Sequence, residues 1–251
     1  MNFLSQTIAN KPDPNWSQVQ VIPIIESQDP LVPLGLVNSP LRSYPAYFHQ
    51  GVPGALNECY VRRSVLFRLY KAARLLPTGI ELVVLDGWRP LPVQQYLYDT
   101  LHTVMTTHDT QQNETELLAH LRQFVSPPSD NPAAPSPHLT GGSVDVALCD
   151  VEGLLLDMGT EFDDISFWSA SAAFETITKP NARESEVIEN RRLLHSVMLQ
   201  AGFSNLPSEW WHFDYGNQAW AWATQQSQAQ FGVAERLTLA QRWLKSVTSE
   251  V

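Results

Sequence analysis

Apolar positions along the chain fall into periodic blocks separated by proline- and glycine-rich stretches. From about Asn57 the period is helical: Val61, Val65, Leu69 and Ala73 recur every fourth residue, and Leu66, Tyr70 and Leu76 widen the stripe. Pro77 and Gly79 end it. Ile80 to Leu85 reads as a mostly buried strand that runs directly into Asp86-Gly87-Trp88-Arg89-Pro90. Leu91 to about Thr106 is helical again, with Val93, Tyr96, Leu97 and Leu101 on one side. Asn113-Glu114-Thr115-Glu116 has the form of a capped helix start leading to Phe124.

Residues 125–137 are proline-rich and form a surface loop. Ser143 to Leu148 is a strand, followed by a turn at Asp150–Gly153 into Leu154–Leu156. Residues 164–183 show no period and read as loop. Glu184 to Gln200 is a helix with apolar Val187, Ile188, Leu193, Leu194, Val197 and Met198, stopped by Gly202. The aromatic run 210–215 reads as a buried strand. At the ends, residues 1–56 predict an extended, wrapping segment with one strand around Val19–Ile25. Residues 216–251 predict a last helix near Val233–Val247 packed across the back of the fold.

Composition changes this picture little. The 251 residues suffice for one sizeable core, so the expectation is a single domain over 1–251 with an N-terminal segment (about 1–56) and a C-terminal extension (about 216–251). A net charge of −10 argues against a nucleic-acid partner, which requires a basic face. No run approaches the roughly 20 apolar residues of a membrane span. The first residues lack a basic and apolar leader, so the expected location is cytoplasmic. Cys59 and Cys149 make neither a CxxC pair nor a disulfide framework.

The chemistry concentrates in two stretches. Ser136-Pro137-His138-Leu139-Thr140-Gly141-Gly142-Ser143-Val144-Asp145 offers an imidazole, a tight turn and a carboxylate. Glu209-Trp210-Trp211-His212 adds a second imidazole and another carboxylate. His138, Asp145 and His212 make a three-ligand zinc set with an open fourth position. His138 and Asp145 have opposite parity on a regular strand, and Gly141-Gly142 permits the bend that aims both at one point. Glu209, placed in the irregular approach after Pro207, can reach metal-bound water without ligating the metal. Arg89 sits at a strand end with Pro90 fixing its backbone as extended, suited to an oxyanion or a carboxylate. The alternative for Arg89 is a plain turn pair with Asp86. The acids between Asp157 and Asp163 suit either the amine of a small peptide or solvent. Tyr44 and Tyr47 suit either a substrate contact or ordinary packing.

Ser136-x-His138-x-x-Gly141-x-x-x-Asp145, followed by Glu209-x-x-His212 and preceded by Asp86-Gly87-Trp88-Arg89-Pro90, resembles the zinc D-alanyl-D-alanine dipeptidase family, within the D,D-peptidase and hedgehog-type zinc peptidases. The motifs span 86–212, about half the chain. The resemblance implies one zinc ion on His138, Asp145 and His212, with Glu209 as general base and Arg89 stabilising the tetrahedral intermediate. It further implies Asp163 as the acid that receives the substrate's amino terminus, Ser136 as a pocket serine, and D-Ala-D-Ala as the small-peptide substrate. Ser143 stands where the family has alanine, and Pro137 where some members have serine. The implied fold is α+β, a mainly antiparallel sheet carrying the metal site with helices packed on one side. Two other functions stay open: a carboxypeptidase or endopeptidase acting on peptidoglycan peptides, and a non-catalytic zinc-binding module. Retention of both Glu209 and Arg89 speaks against the second.

Overall fold

The computed structural model describes residues 6–108, 113, 117–118, 121–122 and 124–248. In chain order the elements are α1 (Trp16–Val19), β1 (Leu31–Pro33), β2 (Leu41–Ser43), α2 (Ala46–His49), β3 (Tyr60–Arg62), α3 (Arg63–Ala73), β4 (Ile80–Asp86) and α4 (Leu91–His108). They continue with β5 (Ser143–Asp150), α5 (Ala182–Ala201), β6 (Ser204–Asn205), β7 (His212–Asp214), α6 (Gln218–Ala223) and α7 (Leu239–Thr248). A five-stranded sheet runs in the order β2-β4-β5-β7-β6. Only β2 and β4 are parallel; the other neighbours are antiparallel. The fold is α+β, as expected.

The central strands are apolar through most of their length because both of their faces are covered. Leu82, Val84, Val144, Val146 and Leu148 are fully buried. Alternation along β5 then points Val144, Val146 and Leu148 away from the face that carries Asp145. Helices α3 and α5 pack on each other and on the sheet, so they share one side of it. Asn181 and Glu184 close a capping box at the start of α5, and Gly202 ends it at φ 101°.

Several elements differ from the periodicity. Val61 belongs to β3, and α3 begins only at Arg63, because β3 is held by antiparallel pairing with β1, Val32 opposite Val61. A helical stripe cannot register a partner 29 residues upstream. The N-terminal segment holds β1 and β2 beside the short α1 and α2, whereas Val19–Ile25 makes only a single bridge, Ile24 to Ala229. The last helix does not pack across the back. Among the described residues the last buried one is Ala234, and α7 starts beyond it with no buried side chain, leaving Trp243 and Leu244 each 64% exposed. In the predicted helix after Asn113, Glu114 to Glu116 lie outside the described residues, while Leu117 and Leu121 are buried.

No helix among the described residues is long and apolar enough to cross a membrane.

Candidate active site

Three strand ends and one turn deliver the cluster. Gly141, at φ 71°, closes a 3-10 turn over Pro137–Thr140 and sends the chain into β5, so His138 and Asp145 face one point. In the sheet, Asp145 lies directly opposite His212 of β7 and also pairs with Asp86 at the end of β4. A register shift between Val84 and Asp86 re-aims the end of β4. Gly87 follows, and a side chain there would meet the Tyr60 carbonyl oxygen at 2.4 Å. The Gly87 carbonyl accepts from His138 Nδ1 at 2.8 Å.

His138 Nε2 lies 3.2 Å from His212 Nδ1 and 3.5 Å from Asp145 Oδ1, and His212 Nδ1 lies 3.2 Å from the same Asp145 oxygen. A tetrahedral zinc with ligands at about 2.0–2.2 Å sets its donor atoms about 3.3–3.6 Å apart. The triangle therefore has the size that zinc requires. The outer hydrogen bonds fix the tautomers to match. A carbonyl only accepts, so His138 carries its proton on Nδ1 and presents a lone pair on Nε2. His212 Nε2 lies 3.2 Å from the Asp214 carboxylate, which leaves Nδ1 as the free donor atom. Asp214 is itself held by Ser143 Oγ at 2.6 Å and Asn217 Nδ2 at 2.7 Å. Among the described residues these three side chains are the one group placed to hold a metal ion, and all are buried.

The electrostatics suit a cation. Burial would raise the Asp145 pKa, but His138 and His212 reverse this and hold it well below the usual carboxylate range. Burial also opposes charge on His212, yet Asp214 and Asp145 outweigh it and push its pKa upward. The cluster favours positive charge at its centre.

Around it stand the remaining predicted residues. Glu209 Oε2 is 3.8 Å from His212 Nδ1, beside the cluster and outside the ligand triangle. Its pKa is pushed up to about 8, by burial first and further by Asp145 and Asp163, against His212 and Arg89. Arg89 does pair with Asp86, Nε to Oδ2 at 2.8 Å, but its Nη2 also reaches Asp145 Oδ2 at 3.1 Å. Gln94 accepts from its Nη1 at 2.8 Å, and Tyr47 lies beneath the guanidinium, 4.8 Å from ring centre to Cζ. Burial works against the Arg89 charge, and Tyr47, Asp86 and Asp145 more than offset it. Asp163 lines the same cavity in a left-handed backbone conformation, φ 66°, a strained setting for a residue other than glycine. Burial raises its pKa to about 7, against the pull of Arg89.

Ser136 is placed differently. Its hydroxyl donates to the Pro127 carbonyl at 3.1 Å and accepts from Ser129 N at 2.7 Å, and it faces a neighbouring cavity, not the one at the cluster. Asp214, Gln94 and the Gly87 carbonyl were not singled out from the sequence. Asp214 had a readable signal, since residues i and i+2 of a strand share a face. Gln94 and Gly87 had none, because their roles depend on strands brought together from elsewhere.

Residues 53–233 match the peptidase M15 family, described as D-ala-D-ala dipeptidase. The chain is 34% identical over 218 residues to a D-alanyl-D-alanine dipeptidase of Synechocystis sp., covering 80% of this chain and 87% of that relative. To the D-alanyl-D-alanine dipeptidase of Escherichia coli it is 27% identical over 157 residues, 62% of this chain and 66% of the relative. To that of Enterococcus faecium it is 34% identical over 152 residues, 58% and 67% respectively. Among solved structures, VanYB in complex with D-Alanine-D-Alanine overlaps at a TM-score of 0.40 and 18% identity, over 68% of this chain and 80% of that one, too loosely to carry an argument. The extent of the family match, together with the Synechocystis relative, shows that this chain belongs to the D-Ala-D-Ala dipeptidase family of M15 peptidases.

Proposed function

We propose that this chain is a zinc peptidase that hydrolyses D-alanyl-D-alanine to two molecules of D-alanine. The observation that carries the reading is the donor triangle of His138, Asp145 and His212 with Glu209 standing 3.8 Å from one of its atoms. A structural zinc site needs neither an adjacent carboxylate nor a buried guanidinium. Zinc bound on the triangle supplies Lewis-acid polarisation of the scissile carbonyl and makes water a usable nucleophile near neutral pH.

The side chains account for the remaining steps. Glu209 removes a proton from the attacking water and returns it to the nitrogen of the departing D-alanine, so the C–N bond breaks with water added across it. Its raised pKa, about 8, suits a group that must both take up and release a proton near neutrality. Arg89, locked by Asp86, Gln94 and Asp145, presents a fixed positive charge to the developing oxyanion. Asp163 pairs with the free ammonium of the substrate. Trp211 and Tyr47 exclude water from these groups and strengthen each electrostatic contact.

The test measures D-alanine released by zinc-loaded protein from free D-Ala-D-Ala and from an N-acylated D-Ala-D-Ala peptide in parallel. Cleavage of the free dipeptide alone is expected; cleavage of the acylated peptide at a comparable rate moves the enzyme to the carboxypeptidase reading. Glu209→Ala is expected to keep its zinc and lose about 10²–10⁴-fold in kcat. Undiminished turnover in that variant overturns the assigned base.

A further inference from the structure

The cavity at the cluster is narrow, though partly open to solvent: it holds about 30 Å³ of free space, room for one or two water molecules and not for a dipeptide. Part of its wall must move to seat a dipeptide beside the cluster. Most of that wall comes from residues 53–233, but Trp16 and Tyr47 are contributed by the N-terminal segment that precedes the family match. The segment is tied down on both sides of Trp16. Asp13 Oδ1 accepts from the backbone N–H of Ser208, immediately before Glu209, at 3.0 Å. Downstream, the Ile22 carbonyl accepts from Gln218 Nε2 at 2.7 Å, and the same amide reaches the Ala133 carbonyl at 2.9 Å.

A second cavity of about 320 Å³ is also lined by Trp16. The two cavities share Trp16, Ser126 and Pro137 as a partition. Ser126 is fixed by its carbonyl, which accepts from Gln94 Nε2 at 2.8 Å, and Pro137 is fixed in the turn that carries His138. Trp16 is half-buried, and among the described residues its indole N–H has no hydrogen-bond partner. Of the three shared residues it alone combines a large side chain with no polar tether, and it has an adjoining space large enough to receive an indole ring.

We infer that Trp16 is a specificity-determining residue: its ring turns from the partition toward the 320 Å³ cavity to seat a peptide of two residues, and in that position it fills the space that a third residue would need. The inference rests on the peptidase reading of the same site and adds to it the element that sets substrate length. A longer peptide would have to place its extra residue where the indole sits.

The experiment compares kcat/KM for D-Ala-D-Ala, N-acetyl-D-Ala-D-Ala and tri-D-alanine in zinc-loaded full-length protein, wild type and variants. Trp16→Ala is expected to raise the ratio of long to short substrate at least tenfold, while Trp16→Phe stays within about threefold of wild type. Asp13→Ala frees the segment without altering the cavity wall and is expected to raise the same ratio by a smaller factor, which guards against misfolding of Trp16→Ala. Dipeptide cleavage with an unmoved ratio in both Trp16→Ala and Asp13→Ala overturns the assignment of Trp16 and leaves the peptidase reading intact. A wild type silent on all three substrates overturns both.

Discussion

His212 and Asp214 stand two residues apart on β7, and His212 Nε2 lies 3.2 Å from Asp214 Oδ2. Strand alternation puts both side chains on one face, so the carboxylate orients the imidazole and leaves Nδ1 pointing into the donor triangle. Asp214→Ala should therefore weaken zinc binding about 10–100-fold, while His138 and Asp145 keep their places. Competition with a chelator of known affinity reads this directly. Unchanged zinc affinity would remove Asp214 from the site.

Arg89 contacts two carboxylates and an amide at once, with only 7% of its surface exposed. Arg89→Lys preserves the charge but not the fork, and is expected to lower kcat by about 10²–10³-fold with a smaller change in KM. Arg89→Met leaves Asp86 and Asp145 without their buried partner. It should also cost about 3–5 kcal/mol of stability, measured by denaturant unfolding.

The pH dependence of kcat/KM follows from two carboxyls whose pKa values are raised chiefly by burial, Asp163 to about 7 and Glu209 to about 8. A raised pKa means that the proton is held until higher pH, so each group loses its active charge as pH falls. Asp163 must be ionised to attract an ammonium, and Glu209 to act as base. The acid limb for D-Ala-D-Ala should therefore approach a slope of two in the wild type and one in Asp163→Asn. Identical limbs in the two proteins would detach Asp163 from substrate binding.

Zinc should stabilise the fold by mass action, because the donor triangle exists only when β5, β7 and the Pro137–Thr140 turn are assembled. At a free concentration of a hundred times its Kd, the gain is about 2.7 kcal/mol. For a chain of this length that corresponds to an increase in Tm of about 5–11 °C, lost on adding chelator. Differential scanning calorimetry with and without zinc makes the comparison.

Much of the candidate site's geometry was readable in the sequence because its residues are few, chemically distinctive and locally constrained. Gly141-Gly142 announced a bend between His138 and Asp145, and the bend is there at φ 71°. Pro207 and Ser208 announced an irregular approach that keeps Glu209 off β7, which begins at His212. The long elements, β4, α4, β5 and α5, were legible because their apolar periods run for several turns or pleats.

The failures share a cause. β1, β2 and β3 are three residues each and exist only through pairing with distant segments, so no local period marks them. The terminal helix has a clear apolar stripe, but a stripe records only that a face is apolar. Whether the fold offers that face a place is a separate matter, and α7 has no buried side chain.

By itself the sequence offered the residue types of the candidate metal set, the proposed base and the guanidinium, together with the turns that make their convergence sterically possible. Tertiary structure alone decided the distances. It brought the three donor atoms to 3.2–3.5 Å separations, turned both imidazoles by hydrogen bonds to Gly87 and Asp214, and set Trp16 from the far N-terminus into the cavity wall. The physical reason is that residue identity and short-range backbone preference are local properties, whereas coordination geometry and cavity shape arise from side chains that meet only after the sheet has formed.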